Sequence, residues 1–180
     1  MFMRRLILAP LALLVIAPGI ASAAEPVCLT KHEATSLIAY ALPQAINGTA
    51  KRCAATLPAD SFLRAHGAEL AARYGTQKAR YWPQAKPALL KALGGNSDTA
   101  RLTANLPDEN LRQMADVFVE GLVSQRIALK SCDKLDAAIN LLAPLPPENT
   151  AGLIALSIEV ASAANPRIGK VSLCGDDGPR

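Results

Sequence analysis

The sequence predicts an all-α protein, a bundle of five or six helices rich in alanine and leucine and stapled by two disulfides. Three observations carry that expectation. Alanine occurs 29 times and leucine 21 times between residues 24 and 180, and both are strong helix formers. Apolar residues recur at steps of three and four, the spacing that lines one face of an α-helix. Aromatic residues make up only 4% of the chain, which works against the sandwiches and barrels that aromatic and β-branched side chains build. With 51% apolar and 19% charged residues, the chain can bury a core and is not of the disordered class.

Residues 1–23 read as a secretory signal peptide and residues 24–180 as a single helical domain. Arg4 and Arg5 precede an apolar run from Leu6 to Ile16, Pro18-Gly19 breaks it, and Ala21-Ser22-Ala23 offers the small-residue cleavage site. The run is shorter than the roughly 20 apolar residues that span a bilayer, so cleavage after Ala23 is expected to leave no transmembrane anchor. The signal is of bacterial type, and the expected location is the periplasm or the exterior. Losing Arg4 and Arg5 lowers the net charge from +4 to about +2, a poor match to nucleic acid.

The helices are expected near 31–54, 59–74, 76–92, 107–127, 132–142 and 147–163. Thr30 and Glu33 form a capping box ahead of the stripe Ala34, Leu37, Ile38, Ala41, Leu42, Ala45 and Ile46. Pro43 falls inside that stripe and should kink or break the helix, and Asn47-Gly48 should loosen it. Leu57-Pro58, Leu106-Pro107 and Leu145-Pro146-Pro147 each place proline where a helix starts, with a carboxylate close behind. Gly75 and Gly94-Gly95 read as stops. Pro83 and Pro87 complicate the third helix, residues 94–105 read as a loop with at most a turn of helix near Thr99, and the tail 175–180 should fray. The fourth helix carries a broad apolar stripe through Leu111, Met114, Phe118 and Leu122, widened by Val117, Val119 and Val123, and the sixth is apolar nearly all round through Leu153, Ile154, Leu156, Ile158 and Val160. They are therefore expected at the centre of the bundle.

All four cysteines, Cys28, Cys53, Cys132 and Cys174, lie beyond the cleavage site. An even number in an exported chain points to two disulfides, and the absence of a Cys-x-x-Cys pair argues against a metal site. If the first helix is continuous, its ends stand roughly 33 Å apart at 1.5 Å per residue, too far for Cys28 to reach Cys53. The nested pairing Cys28–Cys174 with Cys53–Cys132 is then favoured. If Pro43 folds the helix into a hairpin, Cys28–Cys53 with Cys132–Cys174 takes its place, and a crossed pairing is the third alternative.

No catalytic signature is present, and no cofactor or metal is expected. His32 and Glu33 are adjacent on a helix and face apart, and His66 lies beside Glu69 with no nucleophile at hand. Arg112, Asp116 and Glu120 share a helix face and read as a solvated stripe with an Arg112–Asp116 ion pair. The chemical bias lies in residues 64–91, where six basic residues face Glu69 alone and aromatic residues are interleaved. The candidate binding residues there are Arg73, Tyr74, Lys78, Arg80, Tyr81, Trp82 and Lys86. Cations among aromatics suit an anionic envelope polymer, a lipid head group or an acidic protein. The sequence thus points to an exported, non-enzymatic protein that binds or scaffolds an anionic envelope component. The alternative is a periplasmic hydrolase-type enzyme whose site is assembled from distant positions.

Overall fold

The computed structural model describes residues 28–94, 98–164 and 172–174. Within them run seven α-helices: α1 (Lys31–Cys53), α2 (Phe62–Gly75), α3 (Trp82–Ala92), α4 (Asp98–Ala104), α5 (Asp108–Arg126), α6 (Cys132–Leu142) and α7 (Pro147–Ala164). Short 3-10 turns at Lys78–Tyr81 and Leu129–Ser131 lead into α3 and α6. Two-residue strands, β1 (Cys28–Leu29) and β2 (Ser172–Leu173), pair in parallel with Cys28 opposite Ser172. The predicted signal peptide, the tail 175–180 and Gly95 lie outside the described residues.

The capping box starts α1 as the sequence implies. Thr30 Oγ1 accepts the Glu33 N–H at 3.1 Å, and the Thr30 N–H donates to Glu33 Oε2 at 3.0 Å. Pro43 does not break the helix, which continues to Cys53 with the proline buried. A lone proline removes one backbone donor, and packing of α2, α3, α5 and α7 around α1 outweighs that loss. The unbroken helix keeps Cys28 away from Cys53. The disulfides are nested, Cys28–Cys174 with Cα atoms 5.0 Å apart and Cys53–Cys132 at 5.5 Å.

The centre of the bundle is α1, not α5 and α7 as their apolar content suggested. Tyr40, Leu42, Pro43, Ile46, Gly48 and Thr49 are all buried, so α1 is covered on several sides. On α5 only Leu111 and Ala115 are buried, while Met114, Val117, Phe118 and Leu122 are exposed. On α7, Leu153, Leu156, Ile158 and Val160 are also exposed. Small residues on α1 decide this. A Cβ added at Gly48 would sit 2.7 Å from the Glu120 carbonyl oxygen and 3.1 Å from Val123 Cβ. Gly48 is therefore the point of closest approach between α1 and α5, and the Asn47-Gly48 pair does not loosen the helix. Arg52 Nε donates to the Ile127 carbonyl at 3.0 Å and Tyr40 packs with Leu111, so α5 runs parallel to α1. Gly67 approaches Ala50 and Lys91 meets Glu33, so α2 and α3 together run antiparallel along it.

Other boundaries shift for local reasons. Helix α2 starts at Phe62 instead of 59, because Pro58 to Ser61 close a turn through the Ser61 N–H and the Pro58 carbonyl, 3.1 Å apart. Its cap comes from another helix: the Phe62 and Leu63 N–H groups donate to the two oxygens of Asp136, at 3.3 and 2.7 Å. Replacing Asp136 with alanine should lower stability by about 1–2 kcal/mol, the usual loss of a helix cap, as measured by urea unfolding. Pro83 sits in the first turn of α3, where its missing donor does no harm. Gly94, with φ of 105°, supplies the left-handed residue that ends α3. The expected loop after it holds the seven-residue α4. No helix among the described residues is long and apolar enough to cross a membrane.

Candidate anion-binding cleft

The basic residues of the 64–91 stretch are distributed around the bundle, and most meet an acceptor from another element. Arg73 donates to the Ala143 carbonyl. Tyr74 is buried, its hydroxyl donating to the Leu145 carbonyl at 2.9 Å and lying 3.1 Å from Thr150 Oγ1. Arg80 pairs with Glu148, whose other oxygen accepts the Tyr81 hydroxyl at 2.8 Å. The buried Trp82 donates its indole N–H to Asp108 Oδ2 at 3.0 Å, and Lys86 holds Asp108 Oδ1 at 2.6 Å. Lys91 pairs with Glu33.

Lys78 and Trp82 are also joined through Tyr40, which packs against both. There α1, the 3-10 turn before α3, and α5 enclose a cleft of about 230 Å³, with Tyr40, Lys78, Glu109, Arg112, Gln113 and Asp116 among its walls. Four side chains stack in series. Lys78 Nζ lies 4.4 Å from the centroid of the Tyr40 ring, that ring lies 4.9 Å from Trp82, and the Arg112 guanidinium carbon lies 5.1 Å from the Trp82 ring. Cations over aromatic faces are attracted by the ring quadrupole, which fixes both cations at the cleft. Lys78 also binds Asp116 and, at 3.0 Å, Gln44 Oε1.

Arg112 does not form the expected ion pair with Asp116, because Lys78 takes that carboxylate. Among the described residues Arg112 has no ion pair, and its buried Nε has no hydrogen-bond partner. The hydroxyl of Tyr40, a residue 3% exposed, also lacks a hydrogen-bond partner of normal geometry, its polar neighbour being the Asp116 carboxylate that Lys78 already holds. Burial first, and then the nearby Asp116 carboxylate, hold the Tyr40 phenol well above its ordinary value, so it remains protonated and able to donate. Buried donors without acceptors are unfavourable. Two of them lie just beneath the wall of one open cleft that both residues line, where a small side-chain shift would bring them to an oxygen ligand.

Sequence reasoning identified Lys78 and Trp82 but missed Tyr40 and treated Arg112 as surface. The signal was weak, since an aromatic on α1 and an arginine on α5 share no spacing rule. A second cleft, of about 300 Å³, joins His66, Glu69, Arg73 and Asn140. His66 Nδ1 stands 3.7 Å from Glu69 Oε2, yet the lining of that cleft holds no serine, threonine or cysteine. No group of three or more His, Cys, Asp or Glu residues among the described residues is placed to hold a metal.

Three carboxylates outside the lining of the Arg112 cleft tie stability to pH. Burial works against ionised Glu33, but the hydrogen bonds from Lys91 and Thr30 outweigh it and hold its pKa below the ordinary 4.5. Asp108 is lowered by Lys86 and then by the Trp82 indole, and Glu148 by its own backbone N–H and then by Tyr81. A carboxylate with a depressed folded pKa stabilises fully above its unfolded value and loses that contribution as pH falls through the folded one. The urea midpoint should therefore fall as pH drops below about 4.5, the ordinary glutamate value, and Glu33→Gln should make that fall shallower. Comparison of the chain with protein-family models, curated proteins and solved structures finds no match, so the chemistry of the cleft itself carries the functional reading.

Proposed function

We propose that the chain is an exported helical binding protein that holds a small anion-bearing molecule of the envelope in the cleft beside Arg112 and Tyr40. The observation that carries this reading is the pair of buried donors there without acceptors of normal geometry. The stacked arrangement of Lys78, Tyr40, Trp82 and Arg112 supports it by fixing the cations before a ligand arrives, which lowers the entropic penalty of binding. Export rests on the signal-peptide pattern of residues 1–23, and two buried or half-buried cystines suit an oxidising compartment. A hydrolase-type enzyme is less well supported, since the His66 cleft lacks a nucleophile in its lining.

One preparation tests both halves. The protein recovered from the periplasmic fraction should begin Ala24-Glu25-Pro26 on N-terminal sequencing. Titration of acetate, followed by amide NMR, should shift signals around Tyr40 and Arg112. The response should weaken at 1 M salt, where the Debye length falls to about 3 Å, and Arg112→Met should abolish it. An intact Met1 would sink the export reading. Acetate shifts that persist in the Arg112 variant would sink the placement of the site.

A further inference from the structure

Resting on that reading, we propose that the natural ligand of the cleft is a zwitterion, a free α-amino acid with an uncharged side chain, and not a simple anion. The cleft is not a positive pocket. Its walls carry two cations, Lys78 and Arg112, and two carboxylates, Glu109 and Asp116. A plain anion set against Arg112 would be repelled by both carboxylates within the same small volume. A ligand that also carries an ammonium group converts that repulsion into attraction.

The hydrogen-bonding inventory divides the same way. Lys78 is already engaged by Asp116, Gln44 and the Tyr40 ring, which leaves Arg112 Nε and the Tyr40 hydroxyl to donate to a carboxylate. On the acceptor side, Glu109 uses Oε1 for the Gln113 amide at 3.0 Å, leaving Oε2. Asp116 binds Lys78 through Oδ1, and its carboxylate also interacts with the Tyr40 hydroxyl. The remaining Glu109 oxygen, with the Asp116 carboxylate beside it, suits an ammonium, which has three donors to place. The rest of the lining includes Gly75 and Ala79, small groups that leave room for an uncharged ligand side chain in a volume of about 230 Å³. The ammonium-plus-anion chemistry also occurs in an ethanolamine lipid head group, which the test separates.

Calorimetric titration of the disulfide-intact protein with L-alanine, L-serine, acetate and methylammonium decides the matter. The amino acids should bind at least tenfold more tightly than acetate or methylammonium. Glu109→Gln should reduce that preference several-fold and raise acetate affinity, since it removes one of the carboxylates that repel a plain anion. Tyr40→Phe should lower amino-acid affinity about tenfold with the fold retained, as read by the urea midpoint. If acetate binds as well as alanine, the zwitterion inference fails while the anion site stands. If neither binds, both fail. Binding of phosphatidylethanolamine vesicles without binding of free amino acids overturns the inference in favour of a lipid head group.

Discussion

Replacing Cys53 and Cys132 together with alanine is expected to lower stability by about 4 kcal/mol. The cystine closes a loop with a sequence separation of 79 residues, and loss of that constraint on the unfolded chain is worth about this much in the chain-entropy model. Packing adds to it, because both cysteines are almost wholly buried in the cluster with Leu57, Leu63 and Leu70. The double replacement leaves no stray thiol, so urea unfolding under oxidising conditions reads the effect directly. A change of less than about 1 kcal/mol would mean that the cluster holds the C-terminal end of α1 against α6 without the crosslink.

The second large effect is expected at Gly48. In an ordinary helix, Gly→Ala stabilises by about 1 kcal/mol. Here the added carbon meets the Glu120 backbone oxygen at 2.7 Å, and a backbone atom cannot rotate away as a side chain can. Gly48→Ala should therefore destabilise despite its better helix propensity. Gly48→Val should lower stability by about 3 kcal/mol through overpacking, and should weaken ligand binding at the cleft because α5 carries Arg112. If Gly48→Ala proved stabilising, the close contact between α1 and α5 would be wrong.

The local features of the fold were legible. The capping box at Thr30 and Glu33 and the starts of α5 and α7 beside proline follow from backbone chemistry within a few residues, whereas the nested cystines were favoured over two rival pairings only on the condition that Pro43 leave the first helix unbroken. Burial was less legible, because hydrophobic content says that a helix has an apolar face without saying how many neighbours cover it. Helix α7 is more apolar than α1, and α5 carries a broad apolar stripe, yet the small residues of α1, Gly48 above all, let other helices close around it. The cleft was hardest to read. Lys78 and Trp82 stood out because basic and aromatic residues alternate in their stretch. Tyr40 became a site residue only when α5 brought Arg112 beside it, and the partner of Asp116 proved to be Lys78, from a different element.

The nested cystines also impose an order of events. A chain exported N-terminus first presents Cys28 to the oxidising side before Cys53, Cys132 and Cys174. An oxidant that joined cysteines as they emerged would link Cys28 to Cys53, whereas the folded protein holds those residues at opposite ends of a 23-residue helix. The native outer bond waits for Cys174, the last of the four, while Cys53–Cys132 can close earlier. Early closure of α1 as a rigid rod would keep Cys28 and Cys53 apart during that wait. If the chain is exported as proposed, maturation in the cell would be a contest between helix formation and premature oxidation, with the capping box at Thr30 acting on its outcome. Pulse-labelled cells carrying Thr30→Ala should accumulate more of the Cys28–Cys53 species, and depend more on a disulfide isomerase, than cells carrying the parent chain.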